Sequence, residues 1–434
     1  MCNKVSNHTN QNTHERVSPA MYIRQIGMFS FEESLKIDPN DRLLLVLDSI
    51  DFESVVNILD KKRGKGRNDY PHRVMIQCLI GGIVNRSPSI SQLIEQLRKN
   101  PGFRYLCGID SSIGIPTESA FSRFIANLTE SEALAAMEDV FHQLVTQLSK
   151  FLPEYGQTAA LDATHLEAFS RGTRKHPSDR DARWGKKKDN NGNWFRWFGY
   201  KLHLLVDAKH ELPMAFTVTS ANENDGEQLI PLMQTFAEKQ PEIEVKTLLA
   251  DSIYDPTKNY QFCLEHRIAL VTPLNLRKRK EPEAGFTKDQ QPLGTCGHPL
   301  TFAGYDNGFL KYRCPAKTGH VKCPFGDFGE MSSFCSDNPY GLTLKYSVRK
   351  NPRKFSRIPR HTKKFKRLYS MRTAVERVNS RLKGPLSADK ITHRGLGKVK
   401  LHIMLALLTM MGSAIGTLTK GRLADIRKLT AMVA

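Results

Sequence analysis

The sequence predicts an α/β protein: a mixed sheet with flanking helices, preceded by an all-α segment and interrupted by a cysteine-containing insertion. Three observations predict it. In the first third of the chain apolar residues repeat at three-four spacing, at Leu43, Leu44 and Leu47, at Val55, Val56 and Leu59, and at Met75, Cys78, Leu79 and Ile83; this is a helical period. From residue 151 onward short apolar runs appear, and these later alternate with helical patterns. Between 275 and 350 both periods give way to a stretch rich in Gly, Pro, Cys and Lys. A chain of 434 residues exceeds a single core. The expected division is a disordered polar tail at 1–20, a helical domain at 21–150, a sheet domain at 151–274 and 351–420, the insertion at 275–350, and a C-terminal tail at 421–434.

Within the helical part, Ser89 followed by Gln92 reads as a capping box opening a helix through Leu97, and Thr129 followed by Glu132 as another, running to about Leu148. Pro116-Thr117 starts a short helix with Ser122 and Arg123 on its polar side. The 18 residues after Lys99 exceed the turn of a helix-turn-helix motif, so a plain helical domain is the expectation. Next come apolar runs at Thr158–Ala163, Gly199–Val206 and Leu212–Val218, the last two joined as a hairpin by Asp207–Glu211. A helix is expected at about Asp225–Glu238, a strand at Val245–Ala250, a helix at Pro256–His266 and a strand at Ile268–Thr272. The order β-β-β-α-β-α-β suits a mixed sheet covered by helices. Helical periodicity returns at about 369–383 and 396–418.

Hydrophobic residues make up 40% of the chain, enough for ordinary cores, which excludes wholesale disorder. The net charge is +20, and it is concentrated. Residues 341–400 hold 19 Lys/Arg against Glu376 and Asp389, so 19 − 2 = +17. Such a block points to a polyanion, either nucleic acid or an anionic membrane. The first twenty residues contain no apolar run of the secretory kind, and eight cysteines without such a signal suggest a reducing, cytoplasmic setting. Residues 401–419 contain no Lys, Arg, Asp or Glu, long enough to span a membrane. The interspersed His402, Thr409, Gly412, Ser413, Gly416, Thr417 and Thr419 favour a buried core helix, so no membrane is expected as a partner.

Three acids are placed for chemistry. Asp162 ends the first strand in LDATH, Asp251 follows the fourth in LLADSIYD, and Glu376 lies on a helix in YSMRTAVERVNSRLK. Taken singly, a strand-end Asp is commonly a cap and a helical Glu among cations commonly an ion-pair partner. Together, carboxylates at strand ends and on a covering helix can converge to hold one or two Mg²⁺ ions, which take oxygen ligands and can activate attacking and leaving oxygens in phosphodiester cleavage.

Tyr369, Arg372, Glu376 and Lys383 have the spacing Y-x2-R-x3-E-x6-K. In this the chain resembles bacterial insertion-sequence transposases of the DDE type. Asp162-Ala163-Thr164 resembles their first acidic motif, and Ala250–Asp255 their second, with Ile253 where many members have glycine. The resemblance covers roughly 21–420 and implies an RNase H-like catalytic domain, with the helical 21–150 segment as the DNA-binding domain for terminal inverted repeats. It also implies an enzyme that hydrolyses DNA strands and joins the freed 3′-OH to target DNA. Asp162, Asp251 and Glu376 would hold Mg²⁺ (or Mn²⁺), and Arg372 and Lys383 would hold end phosphates with Tyr369 assisting. The implied partners are double-stranded DNA and a second copy on paired ends. On the helix, Arg372 and Glu376 are i and i+4, and Lys383 lies two turns further along the same face.

Residues 171–188 carry eight Lys/Arg beside Trp184, Trp194 and Trp197. This reads as a basic loop that grips DNA and stacks an unpaired base, or as tryptophans packed on the sheet. The run Arg277–Lys280 reads as phosphate contacts or a solvated face. Cys296, Cys314, Cys323 and Cys335, with His298 and His320 among them, fall in a region read as too Gly-rich to build its own core. Structural Zn²⁺ would suit it, although the spacings match no standard finger; reduced free cysteines are the other reading.

Overall fold

The computed structural model describes residues 38, 41–63, 70–109, 114–173, 175–188, 192–276, 281–323 and 339–428. The polar tail at 1–20, the Arg277–Lys280 run and Cys335 lie outside them.

The described chain opens with helices α1 (Arg42–Asp48), α2 (Glu53–Lys62), α3 (His72–Val84), α4 (Ile90–Lys99), α5 (Pro101–Leu106), α6 (Glu118–Leu128) and α7 (Ser131–Phe151). Ser89 caps α4 by accepting from the Gln92 amide at 3.3 Å. The interval after Lys99 is not all loop. Asn100 accepts from the Phe103 amide at 3.0 Å and Pro101 stands at the first turn, which together start α5. The expected capping box at Thr129 is corrected. Its hydroxyl donates to the Ala126 carbonyl at 2.8 Å and closes α6, while α7 starts after Glu130 with no side-chain cap.

The main sheet contains β1 (Thr158–Glu167), β2 (Arg183–Lys188), β3 (Trp194–Asp207), β4 (Leu212–Ser220), β5 (Thr247–Ala250) and β6 (Ala269–Val271). Helices α8 (Leu229–Lys239) and α9 (Thr257–Glu265) alternate with its last strands. The spatial order is β4-β3-β1-β5-β6, antiparallel on the β3 side of β1 and parallel on the β5 side, with β2 paired to the outer half of β3. Strand β2 corrects the reading of 171–188 as loop. Its sequence RWGKKK buries only Gly185, so it lacks the apolar alternation by which a strand is recognised. Lysines on an edge strand also discourage further pairing.

The insertion carries a second, antiparallel sheet: β7 (Thr301–Asp306), β8 (Phe309–Arg313) and β9 (Thr343–Ser347). Leu300, Leu310, Tyr312, Val348 and Phe355 are buried together beneath it. The region therefore does build a small core of its own, contrary to the sequence expectation.

The helical stretch expected at 369–383 is broken into α10 (Lys363–Ser370) and α11 (Thr373–Lys383). Ser370 and Thr373 hydroxyls donate to the Arg367 and Ser370 carbonyls at 2.8 and 3.0 Å, the local bonding that competes with a continuous helix. The last helix, α12 (Leu396–Thr419), has membrane-spanning length and apolarity, yet 89% of its most apolar window is buried within the protein. It packs against α1, α3, α7 and β4. A Cβ added at Gly416 would stand 3.0 Å from the Leu45 carbonyl oxygen, so glycine is what lets α1 approach. Through α12 one hydrophobic cluster runs without a break from Leu43 to Ile426, joining helices and sheet across residue 150. The segment after α12 folds back, with Ile426 buried and Arg427 3.3 Å from Glu211.

Candidate active site

Parallel pairing brings the two aspartates together. Leu161 pairs with Ala250, so Asp162 and Asp251 each follow the same rung on strands about 4.8 Å apart. Asp162 remains within β1, while Asp251 lies where β5 ends. There the Asp251 carboxylate accepts from the Ser252 amide at 2.5 Å, capping the short turn Ser252–Tyr254. Its carbonyl accepts from the Thr272 hydroxyl at 2.8 Å.

Glu376 stands in the first turn of α11, which packs over β1 and β3. Arg372, at the start of that helix, donates to the Glu376 carboxylate at 2.6 Å, and its guanidinium lies 5.6 Å from the Tyr369 ring. Tyr369 belongs to α10 and stacks on Phe365. Lys383 closes α11 and donates to the His165 carbonyl on β1 at 2.8 Å. Both cations of the signature thus turn toward the sheet. Lys383 holds backbone in this arrangement, so its side chain is not laid out along an exposed helix face.

The electrostatics single out Asp162. Burial pushes its carboxyl up to about 6; the Ala163 amide and Arg372 oppose the rise, and the charges of Asp251 and Glu376 add to it. Tyr254 is wholly buried beside them. Burial raises its phenol well above the ordinary value, and Asp162, Asp225 and Asp251 raise it further. Its hydroxyl has no hydrogen-bond partner among the described residues. The pocket thus gathers several carboxylates and fewer cations, with Arg372 already engaged by Glu376.

That composition fits a hard divalent ion: the donors are carboxylate oxygens, the ligands Mg²⁺ and Mn²⁺ take. The side chains do not stand in a ligating arrangement. Among the described residues no three His, Cys, Asp or Glu side chains are grouped closely enough to hold a metal. The physical reason lies in their present partners, since Arg372 draws off Glu376 and the Ser252 amide draws off Asp251. The same statement covers the insertion. Cys296, Cys314 and Cys323 carry half-buried free thiols and form no such group with His298 or His320.

A cleft of about 1310 Å³ leads from β2 and β3 to Asp251 and Asp225. Its outer wall carries Trp184 and Trp194, 52% and 60% exposed, and Lys186 and Lys188 each lie 5.4 Å from the Trp194 ring. Trp197 behaves differently: it is buried and donates to the Tyr200 carbonyl at 3.1 Å. Trp197 thus packs on the sheet, as one reading of these tryptophans expected, while Trp184 and Trp194 are left open to the cleft. At the inner end Lys201 pairs with Asp225 at 2.7 Å. Sequence reasoning missed Asp225, Lys201 and Tyr254. Tyr254 stood inside the second acidic motif, but Asp225 and Lys201 carry no motif at all.

Residues 156–411, more than half of the chain, match the family of transposase DDE domains. The chain belongs to that family. Residues 31–127 of this transposase also match a second family, described as a transposase domain. The mixed sheet, its strand order and its flanking helices are consistent with the RNase H-like fold of such enzymes. The chain is further similar to a piggyBac transposase solved as a synaptic complex with hairpin DNA, at 12% identity and a TM-score of 0.38, over 92% of this chain and 80% of that one. The transposase is thus a DDE-type enzyme with DNA as its partner, and its family generally uses divalent metal ions.

Proposed function

We propose that this transposase binds the terminal inverted repeats of its own element, cleaves strands there by hydrolysis, and joins the freed 3′-OH to target DNA. The observation that carries this reading is the unbalanced acidic pocket, in which Asp162 and Asp251 sit side by side under Glu376 and Asp162 is driven to about 6. Asp162, Asp251 and Glu376 would hold Mg²⁺ or Mn²⁺. When bound, the ion supplies charge stabilisation to the attacking and leaving oxygens of phosphodiester exchange.

The protein's own groups do the rest. Glu376 leaves Arg372 to join the aspartates, and the released guanidinium, 17% exposed, turns to an end phosphate. The cleft receives DNA: Lys186, Lys187, Lys188 and Arg196 neutralise the backbone, and the open faces of Trp184 and Trp194 can stack an unpaired base. Tyr369 holds Arg372 from behind. Lys383 fixes the end of α11 to β1 and adds positive potential near the scissile strand. Two copies act on paired ends, in the bacterial cytoplasm and on the nucleoid when DNA-bound.

The test is a strand-transfer assay with a labelled inverted-repeat end and a plasmid target. Joined product with Mg²⁺ and none with EDTA supports the reading. Cleavage without any joined product would make the protein a nuclease of the same fold and overturn it.

A further inference from the structure

A buried carboxylate lies four residues beyond Asp251 and takes no part in the pocket. Asp255 is 1% exposed. Its Oδ2 accepts from the Asn275 amide at 3.0 Å and from Arg353 Nε and Nη2 at 2.9 and 2.7 Å. Its Oδ1 accepts from the Tyr260 hydroxyl at 3.0 Å and lies 3.5 Å from Arg360. Asn275 is where the insertion departs, and Arg353 and Arg360 are where the chain returns from it toward α10 and Glu376. One side chain therefore ties both ends of the insertion to the loop that follows Asp251.

The ties continue to Asp251 itself. Arg353 Nη2 also donates to the Asn275 carbonyl at 2.8 Å, closing the insertion's neck. Arg360 donates to the Thr272 carbonyl at 3.1 Å, and the Thr272 hydroxyl donates to the Asp251 carbonyl at 2.8 Å. Arg360 Nη2 completes the circuit by donating to Tyr260 at 2.6 Å. A long insertion between two carboxylates of one site would let them drift apart unless its ends were pinned. Charge-assisted bonds in a buried setting are the strong way to pin them.

We infer that Asp255, acting through Arg353 and Arg360, is a positioning residue that sets Asp251 relative to Glu376. This rests on the proposed reading that those two carboxylates share a divalent ion. Partners one step removed from metal ligands typically govern affinity by 10–100-fold when changed. Arg353 is the better probe than Arg360, because it is partly exposed and its loss leaves no unpaired cation in the core.

The experiment measures Mn²⁺ binding by electron paramagnetic resonance on the full chain, the Mg²⁺ midpoint of end cleavage, and end affinity by gel shift. The variants are Asp255→Asn, Arg353→Lys and Asp251→Asn, each checked for folding by circular dichroism. For folded Asp255→Asn and Arg353→Lys, Mn²⁺ binding should weaken about tenfold or more and the Mg²⁺ midpoint should rise in parallel. End affinity should stay within about twofold, because no phosphate contact is removed. Should Asp255→Asn not fold, Arg353→Lys decides alone. Unchanged Mn²⁺ affinity in folded Arg353→Lys, or a parallel loss of end affinity, overturns the inference. Wild-type Mn²⁺ binding by Asp251→Asn would instead bring down the metal reading on which it rests.

Discussion

Asp255, four residues beyond Asp251, and Asp162, on the strand paired beside it, differ in company. Around Asp255, two arginines, a tyrosine hydroxyl and a backbone amide converge, so the charge is neutralised where it stands. Around Asp162, burial is combined with two further carboxylates, and the opposing Arg372 is engaged with Glu376. Burying a charge is costly unless it is paired. A fold that satisfies one aspartate and leaves its neighbour short of positive charge sets a neutralised carboxylate beside one that an added cation could balance. The satisfied region holds shape; the unsatisfied region can hold a cation.

The comparison breaks most visibly in cleavage. Asp162→Asn and Asp251→Asn should each lower the rate of strand cleavage by on the order of 10³-fold, and the double variant should be hardly worse, because groups that act as a unit are not additive. Multiplicative losses in a single-turnover assay would mean that the two aspartates do not serve one centre. On the structural side, Asp255→Ala strands Arg360, which is 6% exposed, without its carboxylate. Breaking a buried pair in this way costs about 3–5 kcal/mol, to be read from denaturant unfolding. A cost under about 1 kcal/mol, the range of a surface pair, would remove the contrast.

Asp162→Asn should do the opposite to stability. A carboxyl raised to about 6 in the folded state contributes fully below its unfolded value near 4, and the contribution is lost as pH rises through 6. Asparagine suffers no such loss. The variant should therefore gain about 1–3 kcal/mol over the parent at pH 7–8 in EDTA and nothing near pH 4. Saturating Mg²⁺ should shrink the gain. Thermal melts across that range check it, and a variant less stable than its parent at pH 8 would contradict the account of the pocket. The smallest effect concerns grip. Arg372→Ala removes one proposed phosphate contact, so the slope of log affinity against log salt should flatten by about one unit.

Much of this was legible in the residues. Strands β1, β3, β4 and β5 each contain an apolar run. Asp251 stands where β5 ends and Glu376 on the covering helix, whereas Asp162 lies mid-strand because β1 continues past its apolar run to Glu167. What escaped did so for physical reasons. Strand β2 is an edge whose lysines face solvent, so no apolar period marked it. Helix α5 was signalled by Asn100-Pro101, a cap and a first-turn proline, but is too short to show periodicity. Thr129 stands where one helix ends and the next begins, and a pattern alone does not say which it serves. The Asp255 clamp joins residues about a hundred positions apart, and such a pairing becomes visible only when the chain is folded. Lys383 kept its place in the spacing, yet its side chain went to the His165 carbonyl.

The most direct test of the central claim takes Glu376→Gln and the parent side by side on one labelled inverted-repeat end, with gel shift and Mg²⁺-dependent strand cleavage read from the same preparation. Glutamine keeps the size and polarity of the side chain and removes only its charge. The account predicts that cleavage collapses while end binding persists or tightens slightly. Full Mg²⁺-dependent cleavage by Glu376→Gln would contradict it.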